Sequence, residues 1–237
     1  MPFRLPLAAA LLVIGIGPGT VASAQTAADL FSADTLQEVR LFMNSRDLQD
    51  LRDHYLDRTH YTVDLLWGSI RVRNAAIRSR GTGSANATKP GLFIDFDRYT
   101  AGQKFLGMRS LVLDNLWQDP SMLRERLAMA LFARLGQAAP RQSFCRLFIN
   151  NQYQGVYALT EEPSADFAVR VLGETETDGY LFEYRWVMPF YGSYPGEELG
   201  PYKPLFAARS HELDADSALY GPIEQLFRRI NEPLDDR

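Results

Sequence analysis

The stretch from Phe105 to Gly136, FLGMRSLVLDNLWQDPSMLRERLAMALFARLG, constrains the fold most, because it sets a strand directly before a helix. Ser110-Leu111-Val112-Leu113 is an aliphatic run of strand length. Asp114-Asn115 breaks the run, and Trp117-Gln118-Asp119-Pro120 turns the chain. Asp119 stands as an N-cap with Pro120 at the first helical position, where its missing N–H costs nothing. Leu123, Leu127, Ala130, Leu131 and Leu135 recur at three- and four-residue steps, which predicts an apolar helical stripe. Gly136 supplies the stop. The polar face carries Arg124, Glu125, Arg126 and Arg134; for any one of these charges a solvated face is the simplest reading.

Composition narrows the function. Of 237 residues, 46% are apolar and 23% charged, which fits one globular domain or one and a half, and the net charge of −4 argues against a nucleic-acid binder. Cys145 is the single cysteine, so no intramolecular disulfide or multi-cysteine metal site is available, and its apolar surroundings predict a buried, inert thiol. His54 and His60 lack the spacing of a zinc motif. Residues 1–24 combine Arg4, an apolar core from Leu5 to Ile16 and Ala22-Ser23-Ala24, the pattern of a signal peptide. The apolar core is short for a membrane anchor and Pro6 and Pro18 weaken one, so the chain is expected to meet a membrane only during export. Residues 25–38 read as a flexible tail.

Between these landmarks the chain alternates strand and helix signals. Val39–Met43 predicts a strand and Asp47–Leu56 a helix. In Tyr61–Arg80, Ile70, Val72 and Ile77 alternate with Arg71, Arg73, Arg78 and Arg80, which predicts β-structure with one basic face. Such a row is either a solvated sheet face or an anion site, since guanidinium forks suit phosphate oxygens. Gly81-Thr82-Gly83-Ser84-Ala85-Asn86-Ala87-Thr88 follows as a loop with many free backbone donors, and Lys89-Pro90 opens another strand. CRLFINNQYQGVYALTEE reads as a hairpin whose Asn150-Asn151 tolerate the positive φ of a tight turn. A helix is expected from Asp166, a strand over Gly179–Val187 and a helix over Ser217–Ile230, whereas Asp214 and Asp216 lack the rest of a calcium loop. No hydrolase nucleophile elbow is present.

In order, RSRGTG, Lys89-Pro90, NLWQDPSMLRERLAMALF and RLFINNQYQGVYALTEE resemble the CotH family of secreted, kinase-like proteins first known from spore coats. The resemblance covers roughly Leu41 to Val187, with Thr82 standing where the family usually has asparagine. It implies an α+β fold: an atypical protein-kinase-like N-lobe and hinge over residues 39–187, with an incomplete second lobe over 188–237. It also implies ATP with Mg2+ as cofactors, and an exported location, secreted or in the cell envelope. The activity it implies is phosphorylation of secreted or surface proteins. Lys89 and Glu125 would form the strand-lysine and helix-glutamate pair of kinases; Arg80 would bind phosphate with help from Arg78, and Glu161 would lie at the hinge. Glu161 serves equally well as a structural cap. The acidic residues that the family supplies late find no match before Arg237, so no catalytic or metal-binding residue is assigned. This implies a truncated product, a fragment or a degenerate pseudokinase. A non-enzymatic coat or adhesion module is the alternative.

Overall fold

A computed structural model describes residues 24–174, 179–185, 187 and 189–233; the expected signal peptide lies outside them, apart from Ala24. Seven strands dominate: β1 (Leu36–Met43), β2 (Tyr61–Trp67), β3 (Ile70–Arg80), β4 (Gly91–Asp95), β5 (Ser110–Asp114), β6 (Gln142–Ile149) and β7 (Gln152–Glu161). They close into a barrel in the order β1-β2-β3-β4-β5-β7-β6. Neighbours run antiparallel except at the closure, where β1 pairs parallel with β6, Leu36 opposite Phe144 through Leu41 opposite Ile149. The expected kinase-like α+β N-lobe is therefore incorrect. It was implied by the family resemblance, but here both edges of β1 are used and the strands bury their apolar sides against one another.

The interior is filled by strand residues. Leu41, Leu65, Ile77, Leu92, Ile94, Leu111, Leu113, Leu147 and Leu159 are all fully buried. Trp67, Phe96 and Phe105 pack together at 5.4–6.1 Å between ring centroids. Asn74, at φ +55°, marks an irregularity in the β2–β3 pairing. Beyond it Ala75, Ile77 and Ser79 are buried, while Arg78 and Arg80 are only half-buried. Asn150 and Asn151, at φ +49° and +65°, make the tight turn joining β6 to β7.

Helices decorate the barrel. α1 (Ala27–Leu30) carries a Thr26–Asp29 capping box and buries Leu30 completely, so the segment expected to be a flexible tail holds an ordered turn. α2 is Ser45–Asp53 and α4 is Ala165–Leu172. α3 (Arg124–Arg134) starts later than Pro120, although Asp119 still caps it from a distance, Oδ2 accepting from the Arg124 N–H at 2.8 Å. An apolar stripe normally faces a core, yet Leu123, Leu127, Leu131 and Leu135 are 46–64% exposed and Phe132 is 48% exposed. The closed barrel has no vacant face to receive them. Instead, Arg126 tethers the helix, donating to Gln142 O at 2.6 Å over the Phe144 ring. Leu127→Ser is accordingly expected to shift stability by no more than about 0.5 kcal/mol, against the 2–5 kcal/mol of a core truncation, as urea denaturation would measure.

After α4 a small unit follows. A two-stranded sheet of β8 (Phe182–Tyr184) and β9 (Phe206–Ala208) packs with α5 (Asp216–Asn231), around Tyr202, Leu219, Tyr220 and Ile223. This unit matters because it forms one wall of the cleft beside the glycine loop.

Candidate functional site

The glycine loop runs from the end of β3 to the start of β4, and its shape is held by Asn86 within it and Asn115 outside it. Gly81 adopts φ +110°, and a Cβ there would fall 2.7 Å from Ser84 Oγ, so only glycine fits without a shift. Asn86 Oδ1 accepts from the N–H groups of Thr88 and Lys89 at 2.9 and 2.8 Å. From the end of β5, the fully buried Asn115 donates both amide hydrogens, to Ser84 O and to Lys89 O, each at 2.8 Å. Its Oδ1 accepts from Trp117 N–H at 3.2 Å. The loop is thus clamped at two points to a strand it does not pair with.

On one side of the loop lies a polar cleft of about 300 Å³, lined by Arg58, Arg78, Arg80, residues 81–84, Gln118, Glu162, Glu183 and Arg209. Three guanidiniums come from the barrel side and the fourth from the small unit. Arg58 Nη2 donates to Gly81 O at 3.1 Å, Arg78 stacks on Phe93 at 4.5 Å, and Arg209 ion-pairs with Glu183. Burial holds Arg78 below the usual arginine range, and repulsion from Arg58 and Arg80 adds to it, while Glu162 opposes the shift. Like charges crowded in a half-buried cleft favour an anion that relieves them. A second, partly apolar slot of about 180 Å³ continues from this cleft, lined by Arg80, Glu162, Pro163, Leu181, Phe182, Glu183 and Arg209.

The structure brings Arg78 and Arg80 together, as the sequence predicts. Lys89 and Glu125 do not line that cleft, although the hollow beside Glu125 shares Ser84 and Gln118 with it. The Lys89 ammonium crosses Gly155, donates to Val156 O at 2.9 Å and sits 4.9 Å from the Tyr157 ring centroid. Burial lowers its pKa, and Asp114 opposes that shift. Glu125 lines another hollow of about 370 Å³ with Ser84, Asp114, Gln118, Asp119 and Arg124. Burial raises the Glu125 pKa and Asp114 raises it further. No ion pair joins Lys89 to Glu125 among the described residues; the Asp114 carboxylate is within electrostatic reach of both.

Glu161 acts as a structural clamp. It is 3% exposed at the end of β7 and accepts from Arg141 Nη2 at 2.8 Å and from Arg170 Nη2 at 2.6 Å, tying β6 and α4 to the barrel. Cys145 is fully buried, and burial pushes its thiol up to about 12. Among the described residues no group of three or more His, Cys, Asp or Glu side chains is placed to hold a metal ion. No helix among them is long and apolar enough to cross a membrane.

Sequence reading missed Arg58, Asn115, Glu162 and Arg209. Arg58 and Arg209 stand in stretches with no glycine or basic pattern around them, and only tertiary folding carries them to the loop. Asn115 was visible as a strand breaker, but its two carbonyl partners lie 26 and 31 residues upstream.

Comparison with known proteins places these features. Inner spore coat protein H of Bacillus subtilis (strain 168) is 26% identical over 118 residues, 50% of this chain and 32% of that protein. An inner spore coat protein H-like protein of the same organism is 42% identical over 55 residues, 23% of this chain and 18% of its own length. The matches span about a third or less of these curated relatives. The family model described as CotH kinase protein matches residues 77–216, more than half of the chain, from Arg78 and the glycine loop through Glu162 to Arg209. With its glycine loop, its clamp and three of the four cleft arginines inside that match, the chain belongs to the CotH family.

Proposed function

We propose that the cleft beside the glycine loop binds ATP, and that the domain contributes this nucleotide site to the phosphorylation of exported or surface proteins. One observation carries the reading: a partly apolar slot of about 180 Å³ shares its border with a cleft holding four guanidiniums and the glycine loop. Phe182, Leu181 and Pro163 offer apolar walls to a base, while Arg58, Arg78, Arg80 and Arg209 offer charge to the phosphates. Neutralising the polyphosphate falls to these guanidiniums among the described residues. Lys89 does not line the cleft, so Arg80, which borders both cleft and slot, is the first residue to test.

Isothermal titration with ATP tests the proposal. Wild-type protein is expected to bind, and Arg80→Ala to bind about ten- to hundredfold more weakly, the size of a lost charged hydrogen bond. Binding unchanged by Arg80→Ala, or absent in the wild type at millimolar ATP, overturns it.

A second reading, a non-enzymatic coat or adhesion module, draws support from the exposed face of α3, where Leu123, Leu127, Leu131, Leu135 and Phe132 meet solvent together. The titration separates the two, since a docking module has no need of nucleotide.

A further inference from the structure

The slot and the cationic cleft share four residues, Arg80, Glu162, Glu183 and Arg209. In any nucleotide laid along this path, the sugar joins base to phosphates and so occupies the shared border. Two carboxylates stand there. Glu183 is paired with Arg209. Glu162 differs: its Oε2 is buried and has no hydrogen-bond partner among the described residues. Of the nearby guanidiniums, Arg78 donates to Ser79 O at 3.0 Å, Arg58 to Gly81 O and Arg209 to Glu183, and Arg80, on the same border, makes no hydrogen bond to Glu162. A buried acceptor left without a donor is costly, and such groups in native proteins call for an explanation. A ligand hydroxyl in the cleft can supply the missing donor once the half-buried Glu162 side chain turns this oxygen toward it.

We propose that Glu162 reads the sugar of the bound nucleotide, its buried Oε2 accepting a hydrogen bond from a ribose hydroxyl, so that the site selects ribonucleotides over deoxyribonucleotides. This rests on the nucleotide reading above and adds to it a specificity-determining residue. The physical basis of the selectivity is asymmetric. A site built to accept a hydroxyl proton loses more with an analogue lacking that hydroxyl than a hydrophobic pocket loses with a missing methylene. Phe182, Leu181 and Pro163 can take a base of either nucleotide class equally, so discrimination falls to the border.

The test compares ATP, 2′-deoxy-ATP and 3′-deoxy-ATP by isothermal titration on the full chain, then repeats the series on Glu162→Gln and Glu162→Ala, with circular dichroism to check their folding. One deoxy analogue is expected to bind wild-type protein ten- to hundredfold more weakly than ATP, and both variants to cut that ratio to about threefold or less. Equal binding of all three nucleotides to the wild type overturns the inference and leaves ATP binding intact. Discrimination that survives in a folded Glu162 variant overturns it too. Failure of the wild type to bind ATP at all sinks the nucleotide reading first, and the sugar inference with it. The wild-type arm stands whether or not the variants fold.

Discussion

Glu161→Ala is expected to lower the stability of the domain by about 3 kcal/mol, the lower end of the range for removing one partner of a buried ion pair. The carboxylate is 3% exposed and receives Arg141 and Arg170 together. Without it, two guanidiniums that are each about a third exposed face one another across an apolar gap. Their partial access to water keeps the cost from the top of the range. For a chain of this size the change corresponds to a melting temperature lower by roughly 6–12 °C, readable by thermal denaturation. A drop under about 1 °C would show that the clamp carries little.

The same carboxylate sets a pH dependence. Burial alone pushes Glu161 up, but the hydrogen bonds from Arg170 and Arg141 outweigh it and hold its pKa below 4.5, the ordinary value. A carboxylate lowered on folding contributes stability that is present above pH 4.5 and is lost as pH falls through the folded pKa. Wild-type protein should therefore lose stability in that acidic window more steeply than Glu161→Gln, whose side chain does not titrate. Parallel acid curves for the two proteins would contradict the assignment.

Asn115→Ala is the second large effect. The substitution removes three hydrogen bonds at a fully buried position and leaves Ser84 O and Lys89 O without their donor. Each buried group left unsatisfied costs about 1–3 kcal/mol, so a total near 3 kcal/mol is expected after relaxation of the loop toward water. The loss should be local in character. Amide hydrogen exchange should speed up across residues 81–89 and leave β6 and β7 protected. Uniform acceleration over the whole barrel would mean that Asn115 supports the core rather than the loop. Because that loop walls the arginine cleft, the same variant should also weaken ATP binding, even though Asn115 does not line the cleft.

How much of this was legible beforehand depends on the range of the interaction. The β6–β7 hairpin could be read from Asn150-Asn151, because a tight turn is decided by two residues whose φ must be positive. The burial of Cys145 could be read from its apolar neighbours, and strand alternation put Arg78 and Arg80 on one face of β3. Helix α3 shows the limit. Its leucine spacing fixes which side chains share a face, but not whether anything covers that face. The closed barrel left it open. Lys89 and Glu125 show the same limit from the other side: family likeness suggested a pair, but Lys89 donates to Val156 O and Glu125 lines a separate hollow, with Asp114 within electrostatic reach of both.

By itself the sequence determined the strands, the hairpin turn, the glycine loop, the arginine row and membership in a family, because each depends on residues close together in the chain. Only the tertiary structure decided that the sheet closes, that Arg58 and Arg209 join Arg78 and Arg80, and that Glu162 keeps a buried oxygen without a donor. Those outcomes depend on pairing β1 with β6 across more than a hundred residues. The free energy of such a pairing comes from the packing of the filled barrel interior, which no local propensity records.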